Sequence, residues 1–132
     1  MLRIFSTIIF LTAMSSFSAF ANGISTHVLD LATGVGGKNV PVILELKSKE
    51  GNWTRFATGV TDENGRIKSF NSPIKVSKGI YRLSFDMSKY TGSKKSSFFP
   101  EINVVFQIED ENLHYHVPVV VSPYGYSTYR GN

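Results

Sequence analysis

Apolar and polar residues alternate with a period of two along most of this chain, the repeat of a strand whose two faces meet different surroundings. Residues 24–30 form a first short strand, with Ser25, His27 and Leu29 on one face and Thr26, Val28 and Asp30 on the other. In residues 40–47, Val40, Val42, Leu44 and Leu46 share a face opposite Glu45 and Lys47. A third strand spans 53–61, a short edge strand 67–70, and a fifth 79–85, with Tyr81, Leu83 and Phe85 pointing inward. Residues 102–108, 114–121 and 124–130 are the last three. Turn-forming residues separate them: the glycine-rich loop 32–39, Lys49 to Asn52, Asp62-Glu-Asn-Gly65 with Asn64 and Gly65 supplying positive φ, Asp110 to Asn112, and Ser122-Pro123. One helical segment is predicted, residues 86–94, capped by Asp86 and ended by Thr91-Gly92. Strands at this spacing with one short helix predict a two-sheet all-β sandwich.

Residues 1–21 stand apart from this pattern. Arg3 opens an apolar run with scattered serines, and Ala19-Phe20-Ala21 is a small-x-small cleavage pattern. The expectation is a secretory signal peptide cut after Ala21. An uncleaved anchor fits less well, because Ser15, Ser16 and Ser18 shorten an apolar core that needs about 20 residues to span a bilayer. Residues 22–132 then form one exported, periplasmic domain, small enough to gain from oligomerisation. The absence of cysteine excludes disulfides, thiolate metal sites and cysteine nucleophiles. Setting Arg3 aside leaves 13 basic against 10 acidic residues, scattered rather than striped. That argues against nucleic acid and is compatible with an anionic small molecule.

Chemistry-bearing residues concentrate near the C-terminal end, from His114 through Tyr129 and Arg130 to Asn132, where frayed polar residues are more usual. His114 and His116 share a strand face. As a metal pair they lack a third local ligand, and an edge pair facing water suits His114 equally well. The apolar run Val117 to Val121 places His116 half in the interior, where its pKa can be tuned. His27 reads first as a partly exposed strand residue, and Arg66 as a turn residue that matters only if the turn faces the histidines. There is no P-loop, no G-x-G-x-x-G, no G-x-S-x-G and no H-E-x-x-H.

Four motifs together resemble a known family. They are Ser25-Thr-His-Val-Leu-Asp30, Gly59-Val-Thr-Asp-Glu-Asn-Gly-Arg66, Phe98-Phe-Pro-Glu101, and His114-Tyr-His-Val-Pro118 with Ser122-Pro-Tyr-Gly-Tyr-Ser-Thr-Tyr-Arg-Gly131. In order and spacing they resemble the bacterial 5-hydroxyisourate hydrolase branch of the transthyretin-like family over essentially all of residues 22–132. The resemblance implies a transthyretin-like sandwich of two four-stranded sheets with one short helix, assembled as a homotetramer with sites at the dimer–dimer interface. It implies hydrolysis of 5-hydroxyisourate without cofactor or metal, and no nucleic-acid or, after signal cleavage, membrane partner.

The family's site maps onto His27 and His116 as the catalytic pair, with His27, Arg66 and Tyr129 on the substrate. Arg130, Gly131 and Asn132 are in support. Which histidine is base and which is acid stays open. Asn132 stands where the family usually has serine, which puts the hydroxyl of that position in doubt but leaves activity the expected outcome. The alternative from a different class is a non-catalytic periplasmic transthyretin-like protein binding a small molecule or metal. Two imidazoles around a guanidinium favour the enzyme.

Overall fold

The computed structural model describes residues 23–92 and 95–132. The expected signal peptide, residues 1–21, lies outside the described residues. Nine strands are formed: β1 (Ile24–Asp30), β2 (Val35–Gly36), β3 (Pro41–Lys47), β4 (Trp53–Val60), β5 (Arg66–Ile67), β6 (Gly79–Asp86), β7 (Glu101–Ile108), β8 (Tyr115–Ser122) and β9 (Gly125–Thr128). They make two sheets. One has the order β4-β3-β6-β7 and is antiparallel throughout. The other runs β2-β1-β8-β9, with β5 also paired to β1, and its central β1–β8 pair is parallel.

The core is the layer between the sheets, built from the faces the alternation assigns to it. Val42 and Leu44 of β3, Tyr81, Leu83 and Phe85 of β6, and Val28, Val117 and Val119 of the other sheet are all buried. Each such side chain contributes roughly 1.5–3 kcal/mol by leaving water. The β3–β4 register shifts between Leu44 and Glu45, and this irregularity lets consecutive residues Phe56 and Ala57 both point inward. Buried polar groups are paired. The Tyr81 hydroxyl donates to the Ser77 carbonyl, and Thr61 Oγ1 donates to the Gly37 carbonyl at 2.6 Å while accepting from the Val40 amide.

Two expectations need correction. The glycine-rich loop contains the two-residue strand β2, so the second sheet has five strands rather than four. No helix occurs over residues 86–92; the rest of that expected helix, residues 93–94, lies outside the described residues. Asp86 Oδ1 does accept from the Ser88 amide, and the Tyr90 amide reaches the Met87 carbonyl, but this single turn is not continued. Tertiary bonds hold its ends: the Met87 amide donates to the Pro100 carbonyl, and the Tyr90 hydroxyl donates to the buried carboxylate of Asp30 at 2.8 Å. That bond and burial push the Tyr90 phenol well above its ordinary pKa. One helical turn alone repays little of its nucleation cost, so these anchors prevail.

Candidate active site

Three segments distant in sequence meet on the outer face of the five-stranded sheet. In the parallel β1–β8 pair, Ser25 is the register partner of His116, and His27 of Pro118. In the antiparallel β1–β5 pair, Arg66 is the partner of His27. Directly paired residues point to the same face, so Ser25, His27, Arg66 and His116 all project away from the core.

Arg66 is brought there by a tightly bonded turn. Asp62 Oδ1 accepts the amides of Asn64 and Arg66, both at 2.9 Å, and these bonds hold its carboxyl below the usual carboxylate range. The Gly65 amide donates to the Asp62 carbonyl, and the Gly65 carbonyl accepts from the Val28 amide, docking the turn on β1. Gly65 has φ +75°, and a Cβ there would lie 2.4 Å from the Val28 carbonyl oxygen. This position therefore needs both the left-handed conformation and the missing side chain.

The C-terminal segment closes over β8. The Gly131 amide donates to the His116 carbonyl at 2.8 Å, and a Cβ on Gly131 would lie 2.5 Å from His116 Cδ2. The imidazole thus packs against glycine backbone. A cavity of about 250 Å³ opens here, lined by Ser25, Arg66, Lys68, His114, His116 and Asn132 among others. His27 flanks it through its pairing with Arg66.

Two cations facing this cavity, Arg66 and Lys68, suit an anionic or strongly polar heterocycle. The imidazoles do not add to that charge. Burial first, then the Arg66 guanidinium, push the pKa of both His27 and His116 below 6.5. His114 and His27 lower His116 further, whereas the Asn64 backbone carbonyl partly opposes the shift at His27. Both rings are therefore neutral at pH 7 and able to accept a proton.

A family model described as HIUase/Transthyretin matches residues 24–131. The chain belongs to this family. Its relatives include the 5-hydroxyisourate hydrolase of Salmonella typhi, 47% identical over 118 residues, covering 89% of this chain and 86% of that protein. The mouse 5-hydroxyisourate hydrolase is 35% identical, with 83% and 94% covered. Among solved structures, sea bream transthyretin in complex with thyroxine superposes with a TM-score of 0.76 at 30% identity, covering 83% of this chain and 94% of that one. The fold is thus shared by proteins named as hydrolases and by a transthyretin in complex with thyroxine, and the site has to distinguish them.

Of the residues expected from the sequence, His27, Arg66, His116, Gly131 and Asn132 converge on this face of the HIUase/Transthyretin sandwich. Tyr129 and Arg130 do not. They line a separate hollow with Val105, Phe106 and Tyr115, and the Arg130 guanidinium lies 4.9 Å from the centre of the Tyr115 ring. Alternation accounts for Arg130, which points opposite to its neighbour Gly131 and so away from His116. Ser25 and Lys68 are the site residues that the sequence reading passed over. The signal for Ser25 was present: it lies two residues before His27 on the same strand face.

Proposed function

We propose that this protein hydrolyses 5-hydroxyisourate in urate degradation, yielding 2-oxo-4-hydroxy-4-carboxy-5-ureidoimidazoline. The carrying observation is the pair of neutral imidazoles beside Arg66 on one face, in a chain of this family with hydrolase-named relatives from bacteria and mouse. Water attacks an acyl carbon next to a ring nitrogen. Its oxygen becomes part of the new carboxylate, the carbon–nitrogen bond breaks, and the departing nitrogen takes up a proton. His116 and His27 form the water-activating and proton-shuttling pair. Arg66 holds the heterocycle by charge-assisted hydrogen bonds and stabilises the developing oxyanion. A carrier has no use for two proton-accepting rings around a guanidinium, so the binding-protein reading is the weaker one.

Residues 1–21 act in this reading as a cleaved signal peptide, and residues 22–132 work in the periplasm as a homotetramer. Support for assembly comes from β7 and β9, the outermost strands on one side of the two sheets, with Val105, Tyr126 and Tyr129 exposed along and just beyond them. Tyr129 is exposed and does not line the cavity of its own chain, so in this reading it meets substrate bound to a neighbouring subunit. Native mass spectrometry of the mature chain should show four copies, and a strict monomer would sink the assembly.

Activity is tested by following the ultraviolet absorbance of freshly generated 5-hydroxyisourate. Loss of absorbance should accelerate in proportion to protein added; decay at the spontaneous rate would refute the enzyme. The acid limb of kcat/KM should fall below pH 6.5. Both rings have folded pKa values beneath that ordinary value, so the base form persists as pH drops from 7 and is lost only through the lowered values. The same shifts set the sign for stability. The unfolded chain binds protons first, so the fold keeps the contribution of neutral rings above pH 6.5 and loses it as pH falls below. An acid limb centred at or above 6.5 would contradict the electrostatics of the site.

A further inference from the structure

Ser25 is buried to 7% exposure, and its hydroxyl sits between two imidazoles, 2.7 Å from His116 Nδ1 and 2.8 Å from His114 Nε2. A hydroxyl has one proton to donate and lone pairs to accept with. Both rings can donate to Ser25, which places the His116 proton on Nδ1; otherwise the hydroxyl donates to one ring and accepts from the other. The latter case has two arrangements. In the first, His116 Nδ1–H donates to Ser25 and Ser25 donates to His114 Nε2, which leaves His116 Nε2 with a free lone pair. In the second, His114 Nε2–H donates to Ser25 and Ser25 donates to His116 Nδ1, which leaves His116 Nε2 protonated.

We propose that Ser25 is a positioning residue that couples His114 to His116 in the first arrangement, fixing the His116 proton on Nδ1 and making Nε2 the general base. This inference rests on the hydrolytic reading of the site. The choice between the arrangements follows from what happens when the base works. On taking a proton from water, His116 carries N–H on both nitrogens, so Nδ1 must donate. The first arrangement already provides the acceptor, and nothing has to turn. The second offers no lone pair at Nε2, and a proton could enter only at Nδ1, where the Ser25 hydroxyl already donates at 2.7 Å. His114 accommodates the first arrangement without loss, because it is exposed and can keep its own proton on Nδ1 toward water. Ser25 thus does for His116 what a buried carboxylate does for the histidine of a hydrolytic triad, with a neutral group in place of a charged one. The weaker orienter suits this site, where a carboxylate beside His116 would raise the ring's pKa and pair with Arg66.

The test combines kinetics with the ring's own signature. In 15N-labelled protein at alkaline pH, His116 should show a protonated Nδ1 and an unprotonated Nε2, and Ser25→Ala should shift it toward a mixture. Turnover of 5-hydroxyisourate by Ser25→Ala should fall about 10- to 100-fold in kcat with KM within about twofold, since the hydroxyl acts through His116 rather than on substrate. Ser25→Thr should recover kcat to within about threefold, because the hydroxyl returns on a residue suited to a strand. His114→Ala, at an exposed position, should cost a smaller ~3- to 10-fold by removing the acceptor. A wild-type His116 protonated on Nε2, or an active Ser25→Ala protein with unchanged tautomer and kcat, overturns the proposal. Failure of the hydrolytic reading looks different: the wild type would leave 5-hydroxyisourate at its spontaneous rate, while the nitrogen shifts still report whether Ser25 sets the tautomer.

Discussion

His116→Ala should reduce the catalysed hydrolysis of 5-hydroxyisourate by about 10²–10⁴-fold, the range expected when a positioned general base is removed. The fold should survive the change. His116 projects from the outer face of its sheet, while its neighbours Tyr115 and Val117 supply the buried contacts of β8. The substitution therefore spares the core and removes only the ring, its bond to Ser25 and its packing against Gly131. Initial rates of absorbance loss, corrected for spontaneous decay, measure the effect, and a thermal melt within a few degrees of wild type confirms the fold. Residual activity within tenfold of wild type would remove His116 from the chemistry and leave His27 as the remaining candidate base. The loss should appear in kcat, because Arg66, the proposed substrate-holding residue, is left in place.

Gly65→Ala should destabilise the fold by on the order of 3 kcal/mol or more. Two costs combine. The residue has φ +75°, and its new Cβ would meet the Val28 carbonyl oxygen at 2.4 Å and the Gly37 amide nitrogen at 2.6 Å. Those atoms are the acceptor and donor of one bond, Gly37 N–H to the Val28 carbonyl, which together with Val28 N–H to the Gly65 carbonyl docks the turn and the β2 segment on β1. They have no room to yield. Gly34→Ala is the control: φ there is +74°, but nothing lies within 4 Å of the added Cβ. It should cost only about 1 kcal/mol, the strain of the left-handed conformation alone. Urea denaturation compares the two variants. Gly65→Ala should also lose activity where it remains folded, because the turn that aims Arg66 at His27 must move. Equal costs for the two substitutions would show that the close approach at Gly65 carries no weight.

Both predictions depend on features of different legibility. The strands that bury Val42, Leu44, Tyr81, Leu83 and Phe85 were readable because a period of two is a local property, set by the geometry of each strand. The turn at Asp62 to Gly65 was readable for the same reason, since Asn64-Gly65 marks it chemically, although Gly65 alone of the two takes positive φ and Asn64 does not. The helix expected from residue 86 was misread. Its cap and first turn exist, but Met87 and Tyr90 are held by Pro100 and Asp30, partners that no local window includes. Strand β2 was missed because Val35 and Gly36 carry no alternation of their own and pair only because β1 offers an edge.

The site divides along the same line. His27, Arg66 and His116 could be named as chemically interesting from residue type, and the family resemblance joined them. Alternation along β1 put Ser25 and His27 on one face, and alternation along β8 put His114 and His116 on one face. Nothing in those periods says that the two faces are the same one, or that Ser25 sits opposite His116. That depends on the parallel register of β1 and β8, strands about ninety residues apart, and on the turn that docks Arg66 beside them. Register between distant strands is set by how two complete sheets pack and by which backbone can approach closely, as at Gly65 and Gly131. The chain's alternation therefore decides which residues face outward, and the packed sandwich decides which of them meet: Tyr129 and Arg130, equally promising in the linear text, line another hollow, while Ser25 is turned into the site.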